Sequence, residues 1–134
     1  MHRRCANGSR DCGQRCVGSW WTSVRSYQEA IMSFKAIILL TRAEGATHDQ
    51  FADWWLKQHA PLAKQLPNLR KGVFNLVENP ADGDPDGVSE LWFDTHADFE
   101  AAYASEIGKS VVADSLANVS GRRRMFVVEN TIHS

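Results

Sequence analysis

Five side chains in this sequence could do chemistry: His59, Glu90, Asn75, Trp55 and Trp92. His59 stands in "FADWWLKQHAPL", just before Pro61. An imidazole titrates near pH 6.5 when unperturbed, which suits proton abstraction at neutral pH. The same residue also reads as a histidine at a helix end, bonded to a last-turn carbonyl. Trp55 and Trp92 could wall a planar ligand, or fill a core as large aromatics usually do. Glu90 and Asn75 share strand parity with apolar neighbours. A carboxylate in such surroundings is costly unless paired, so the pKa of Glu90 is expected to rise, which makes it a candidate acid or base. The competing account pairs Glu90 with Arg122 or Arg124 in a structural bridge.

Other combinations are weaker. Asp94, His96 and Asp98 resemble metal ligands, but Thr95 and Asp98 stand where a helix N-cap and its third residue belong. Cys5, Cys12 and Cys16 lie seven and four positions apart and match no common zinc spacing. Haem would need an axial ligand such as His59, and nothing else supports it. There is no phosphate loop, dinucleotide fingerprint or nucleophile elbow. The expectation is a chain without metal or cofactor.

The elements that must position these residues follow from periodicity. "FKAIILLT" (34–41) reads as a buried strand. Thr47 and Gln50 form a capping box for a helix carrying Phe51, Trp55, His59 and Leu62 at three- and four-residue steps. Pro61 should end or kink that helix at 59–60 and open a second turn reaching Leu66. Residues 69–79 and 88–94 read as two strands around the turn "PADGDPDG". Residues 95–119 are helical, with a break expected at Gly108, and 122–132 form the last strand.

The order strand, helix, strand, strand, helix, strand is the ferredoxin-like βαββαβ arrangement. It implies an α+β fold, a four-stranded antiparallel sheet with both helices on one face. The strands are apolar on both faces, so one face would be left uncovered. A second copy packed sheet to sheet would close an α/β barrel with an apolar cavity. The expected partners are therefore a second copy of the chain and a small apolar ligand.

Bulk properties set the remaining bounds. The chain has 134 residues, enough for one domain. Residues 1–33 carry five Lys/Arg against Asp11 and Glu29, net +3; the rest carries ten against fourteen acids, net −4. Arg122-Arg123-Arg124 is the only basic cluster; it reads as a solvated strand edge or as partners for acidic neighbours rather than as a specific anion or phosphate site, and nucleic acid is not an expected partner. No apolar run approaches the roughly 18 residues of a membrane span, and the expected location is cytoplasmic. Residues 1–33 lack a signal-peptide core, and Met32 directly precedes the organised region. The expectation is a disordered extension or a translation start at Met32, followed by one domain over 34–132.

The segments "KAIILLTRAEGATHDQFADWWLKQHAPLAKQLPNLRKGVFN" and "DGVSELWFDTHADFEAAYASEIGKSVVAD" resemble the EthD family. The matching positions are Trp55, His59, Pro61 and Leu62, then Leu66 to Arg70 and Asn75. Gly87, Glu90 to Asp94, Phe99, Ser105 and Asp114 complete the pattern. Gly72 departs from it, standing where the family often has an aromatic. The resemblance implies a dimeric α/β barrel of a superfamily that includes small-molecule isomerases, polyketide cyclases, cofactor-independent monooxygenases, dye-type haem peroxidases and haem-degrading enzymes. EthD proteins are associated with catabolic operons and often filed under oxidoreductases. On that footing the chain would hold an aromatic, polyketide-like or lactone compound, with His59 as general acid or base. Glu90 and Asn75 would polarise a carbonyl, and Trp55 and Trp92 would contact the ligand. The alternative is a non-catalytic accessory or ligand-binding protein of an oxygenase system.

Overall fold

The computed structural model describes residues 34–134. The expectations placed on residues 1–33, including those for Cys5, Cys12, Cys16 and Met32, lie outside the described residues.

Four strands build one antiparallel sheet: β1 (Phe34–Arg42), β2 (Lys71–Leu76), β3 (Gly87–Phe93) and β4 (Val119–Val127), in the order β2-β3-β1-β4. The helical pieces are α1 (His48–Trp54), a π-helical turn (Trp55–His59), α2 (Ala60–Ala63), α3 (His96–Ala104) and α4 (Glu106–Asn118). The expected α+β, ferredoxin-like architecture is present. Register assigns the two sheet faces. Ala36, Ile38 and Leu40 of β1 stand opposite Leu91, Ser89 and Gly87 of β3, and opposite Phe126, Arg124 and Arg122 of β4. Gly72 and Phe74 of β2 stand opposite Leu91 and Ser89. This face meets the helices in one core with Phe51, Trp54, Trp55, Phe99 and Val111. Pleating sends the alternate residues, Lys35, Ile37, Leu39, Val73, Asn75, Val88, Glu90 and Trp92, to the other face.

Local chemistry explains most boundaries. Thr47 accepts from the Gln50 backbone N–H at 3.0 Å while its own N–H donates to the Gln50 side chain at 2.9 Å, a complete capping box. Thr95 accepts from Asp98 N–H at 3.1 Å and starts α3. The expected end or kink at 59–60 takes the form of a change in helix type, with the π-helical turn closing at His59 and α2 opening at Ala60. The helix widens there: Ala60 N–H donates to Trp55 C=O five residues back. Pro61 has no N–H for the Lys57 carbonyl and its ring crowds that carbonyl; a wider turn accommodates the ring. Helical structure then ends at Ala63, short of Leu66.

The break in the second helical region is at Ser105, not Gly108. Ser105 adopts extended backbone, closes α3 and caps α4 by accepting from Gly108 N–H at 3.1 Å. Gly108 has a different role, since a Cβ there would overlap the backbone of Ala102 and Tyr103. The last strand starts three residues earlier than expected and ends at Val127, its last paired residue, which stands opposite Lys35, rather than at Ile132.

Asp86 is the chief surprise in the "PADGDPDG" turn. It is 2% exposed and accepts from Arg42 N–H (2.8 Å), Arg42 Nη1 (3.0 Å) and His48 Nδ1 (2.8 Å). Burial opposes its ionisation, but these donors outweigh that cost and hold its carboxyl below the usual range. Asp86 thereby ties the hairpin to the end of β1 and the start of α1. Next to it, Gly87 leaves room for an indole: a Cβ there would lie 2.6 Å from two Trp55 ring atoms.

Candidate functional site

The site grows out of the π-helical turn. Widening the helix before Pro61 leaves Trp54, Trp55 and His59 all buried on the sheet side. Such turns recur at functional positions because they re-aim one side chain. His59 is 4% exposed and its ring centroid lies 4.9 Å from that of Trp54. Its Nδ1 donates to Asp114 Oδ2 of α4 at 2.8 Å, and its Nε2 faces Ser115 Oγ at 3.4 Å. A carboxylate only accepts, so Asp114 places the imidazole proton on Nδ1 and leaves the Nε2 lone pair as an acceptor facing the Ser115 hydroxyl. Burial pushes the His59 pKa below its ordinary value of 6.5, against the pull of Asp114 and with the help of Arg122's charge. At neutral pH the ring is an oriented neutral base.

His59 borders a small chamber of about 10 Å³, walled also by Ser89, Tyr103, Ser115, Arg122 and apolar residues of β1 and β2. That volume accommodates one small group, about the size of a water molecule. Beside it an apolar groove of about 270 Å³ runs between α2 and the β2 edge, lined by Ala60, Leu69 and Gly72. The two spaces share Ala63, Phe74 and Leu91 as walls. Gly72 helps keep the groove open, since an added Cβ would sit 3.5–3.6 Å from Leu91 and Leu69 without clash.

The sheet separates the five residues singled out from sequence. His59 and Trp55 lie on its helix side; Glu90, Asn75 and Trp92 lie on the other. Trp55 is fully buried, stacked on Phe74 at 4.4 Å, and so sits one layer behind the chamber wall. Its indole N–H and that of Trp54 are buried with no acceptor among the described residues. Each such donor costs about 1–3 kcal/mol, a local cost carried by the same turn that holds His59.

Glu90 is not raised, contrary to expectation. Lys35 Nζ at 2.7 Å and Asn75 Nδ2 at 3.1 Å hold its carboxyl below the ordinary range despite partial burial. Its partner is therefore Lys35 of the adjacent strand rather than Arg122 or Arg124. Trp92 donates from Nε1 to Glu129 at 2.9 Å, and the ammonium groups of Lys35 and Lys71 lie 4.6 and 4.7 Å from its ring centroid. Asp94 pairs with Arg70 and His96 with Glu100.

Asp114, Ser115 and Tyr103 are the functional candidates that reasoning from sequence missed; Arg122 entered it only as a possible partner of Glu90 and as part of the basic run 122–124. Asp114 was visible only as a position in a pattern. Its partner lies 55 residues away, and no local signal links the two.

The fold and the His59–Asp114 pair define a class: a ferredoxin-like α+β domain with an oriented histidine between sheet and helices. Residues 43–120, more than half of the chain, match the EthD domain, and the chain belongs to the EthD family. No curated protein matches it. Among solved structures it is similar to an ethyl tert-butyl ether D (EthD) family protein from Bacillus halodurans. That match has a TM-score of 0.63 and 22% identity over 74% of this chain and 100% of the other. A dimeric ferredoxin-like protein from Thermobifida fusca follows at 0.62 and 18%, covering 73% and 92%. Hydroxynitrile lyase from Passiflora edulis gives 0.61 and 14%, covering 78% and 99%. At these identities the likeness establishes the fold alone. No helix among the described residues is long and apolar enough to cross a membrane.

Proposed function

We propose that this protein binds a small apolar compound between sheet and helices and moves a proton on it without a cofactor. His59 is the general base and Asp114 its orienting partner. The observation that carries this reading is the bond from the buried His59 Nδ1 to the half-buried Asp114, which leaves Nε2 on the Ser115 side of the chamber. A neutral imidazole of fixed tautomer in an apolar setting is what proton abstraction requires. The chamber admits the reacting group, and the neighbouring groove takes an aromatic, polyketide-like or lactone body. SnoaB from Streptomyces nogalater, a cofactor-independent oxygenase, shares this fold at a TM-score of 0.58 and 14% identity, which is consistent with chemistry without a cofactor on this scaffold.

The working unit in this reading is a homodimer. Ile37, Leu39, Val73 and Val88 form an apolar field on the face the helices leave uncovered, and a second copy packed there would bury it. Glu90, Asn75 and Trp92 then belong to the interface between sheets rather than to the chamber of His59.

Native mass spectrometry of the purified full-length protein tests ligand binding, and turnover of the retained compound tests the chemistry. His59→Ala is expected to keep the fold and lose turnover by at least about 10²-fold, the usual contribution of a positioned base. Turnover unchanged in His59→Ala would leave the alternative, a non-catalytic ligand-binding or accessory protein.

A further inference from the structure

The run Arg122-Arg123-Arg124 is not one basic patch. Pleating splits it. Arg123 stands opposite Leu39 on the uncovered face, whereas Arg122 and Arg124 stand opposite Leu40 and Ile38 on the helix side. Arg124 lies over the rings of Phe99 and Phe126, at 5.3 and 5.0 Å. Arg122 instead lines the chamber of His59 together with Tyr103 and Ser115. Among the described residues no carboxylate bridges Arg122, although Lys35, Arg42, Lys57, Arg70 and Lys109 each have one. A half-buried guanidinium beside an apolar wall presents a planar fork of donors suited to an oxyanion.

The shape of the space adds a second constraint. The chamber holds one small group, while the groove next to it, opened at Gly72, holds a body of about 270 Å³. We infer that Arg122 is the anion-binding residue of this site, and that its ligand has an apolar body and a single oxyanionic head. The body lies against Gly72 and Phe74; the head oxygen lies at Arg122, in the chamber that His59 also lines. The oxyanion is either a carboxylate or the enolate of a ketone. In the second case His59 Nε2 takes an α-proton. The C–H electron pair becomes the new C=C bond, and the carbonyl π pair moves to the oxygen beside Arg122. This inference rests on the chamber being the ligand site.

Three probes of matched size separate these cases on the full-length protein: 2-naphthylacetate, 2-naphthylacetamide and 2-naphthylacetone. Binding is followed by the His59 imidazole resonances, and the ketone by deuterium exchange of its α-protons in D₂O. For a carboxylate head, the wild type prefers naphthylacetate to the amide by about tenfold or more, Arg122→Gln abolishes the preference and Arg122→Lys keeps part of it. For an enolate, exchange of the ketone is protein-dependent and falls about tenfold or more in Arg122→Gln. Equal binding of acid and amide, together with exchange indifferent to Arg122, overturns the inference while the ligand site stands. If no probe perturbs His59, the ligand-site reading falls and the inference falls with it. The amide spectrum of Arg122→Gln checks its fold, and Arg122→Lys, which retains the charge, carries the comparison if Arg122→Gln is misfolded.

Discussion

The protonation of His59 is set by what surrounds it, and two of its neighbours act in opposite senses. Asp114 supports the protonated ring, while burial and Arg122 oppose it, and burial dominates. In Asp114→Asn the side-chain amide can donate to Nδ1 and drive the proton to Nε2, which blocks abstraction. Turnover should drop by at least about 10²-fold, and the His59 titration midpoint should move further down, since Asp114 no longer raises it. Imidazole NMR across pH reads both states. The same lowering makes a stability prediction. As pH falls below 6.5 the unfolded chain takes up the His59 proton first. Stability due to this residue is therefore intact above 6.5 and is lost as pH falls toward the lower folded value. Thermal melts from pH 7.5 to 5 should show a steeper acid decline in wild type than in His59→Gln.

At the scale of elements, the π-helical turn and the β2 edge decide what the site can hold. The turn carries Trp54, Trp55 and His59 to the sheet side, and Gly87 admits the Trp55 indole behind Phe74. The groove depends on Gly72. Replacing it with leucine should fill the space between Leu69, Phe74 and Leu91 with little loss of stability, because the nearest atoms leave ordinary contact distance for a Cβ. Affinity for a bulky apolar probe such as 2-naphthylacetamide should fall about tenfold or more, as expected when one branched side chain occupies a ligand's volume. Titration followed by intrinsic fluorescence measures this; unchanged affinity would place the ligand elsewhere. The elements themselves were largely readable from sequence because their signals are local. Thr47 with Gln50, Thr95 with Asp98 and the Asp-Gly hairpin each act within a few residues. Ser105 was overlooked because Gly108 is the stronger breaker in isolation, whereas here its lack of a side chain serves close backbone packing.

At the scale of the whole molecule, the sheet is a partition. Helices cover one face, and the other carries apolar residues around the Lys35–Glu90–Asn75 network. The proposed dimer predicts a specific outcome for Ile37→Lys. Ile37 stands directly opposite Glu90, so the new ammonium finds a cross-strand partner and the chain still folds. In a sheet-to-sheet dimer the same charge would be desolvated, so the variant should sediment as a monomer at micromolar concentration where wild type sediments as a dimer. A monomeric wild type would contradict the barrel.

The order of elements, the helix caps and the two apolar strand faces were determined by the sequence alone, since period and capping depend only on near neighbours along the chain. Only the tertiary structure decided which chemical groups meet. His59 and Asp114, 55 positions apart, become partners because α4 is folded onto the π-helical turn. Glu90 and Trp92, which the family resemblance grouped with His59, are kept from it by the thickness of the sheet. Side-chain direction in a strand alternates by residue, but which face receives the helices is a property of the assembled fold, and that assignment locates the site.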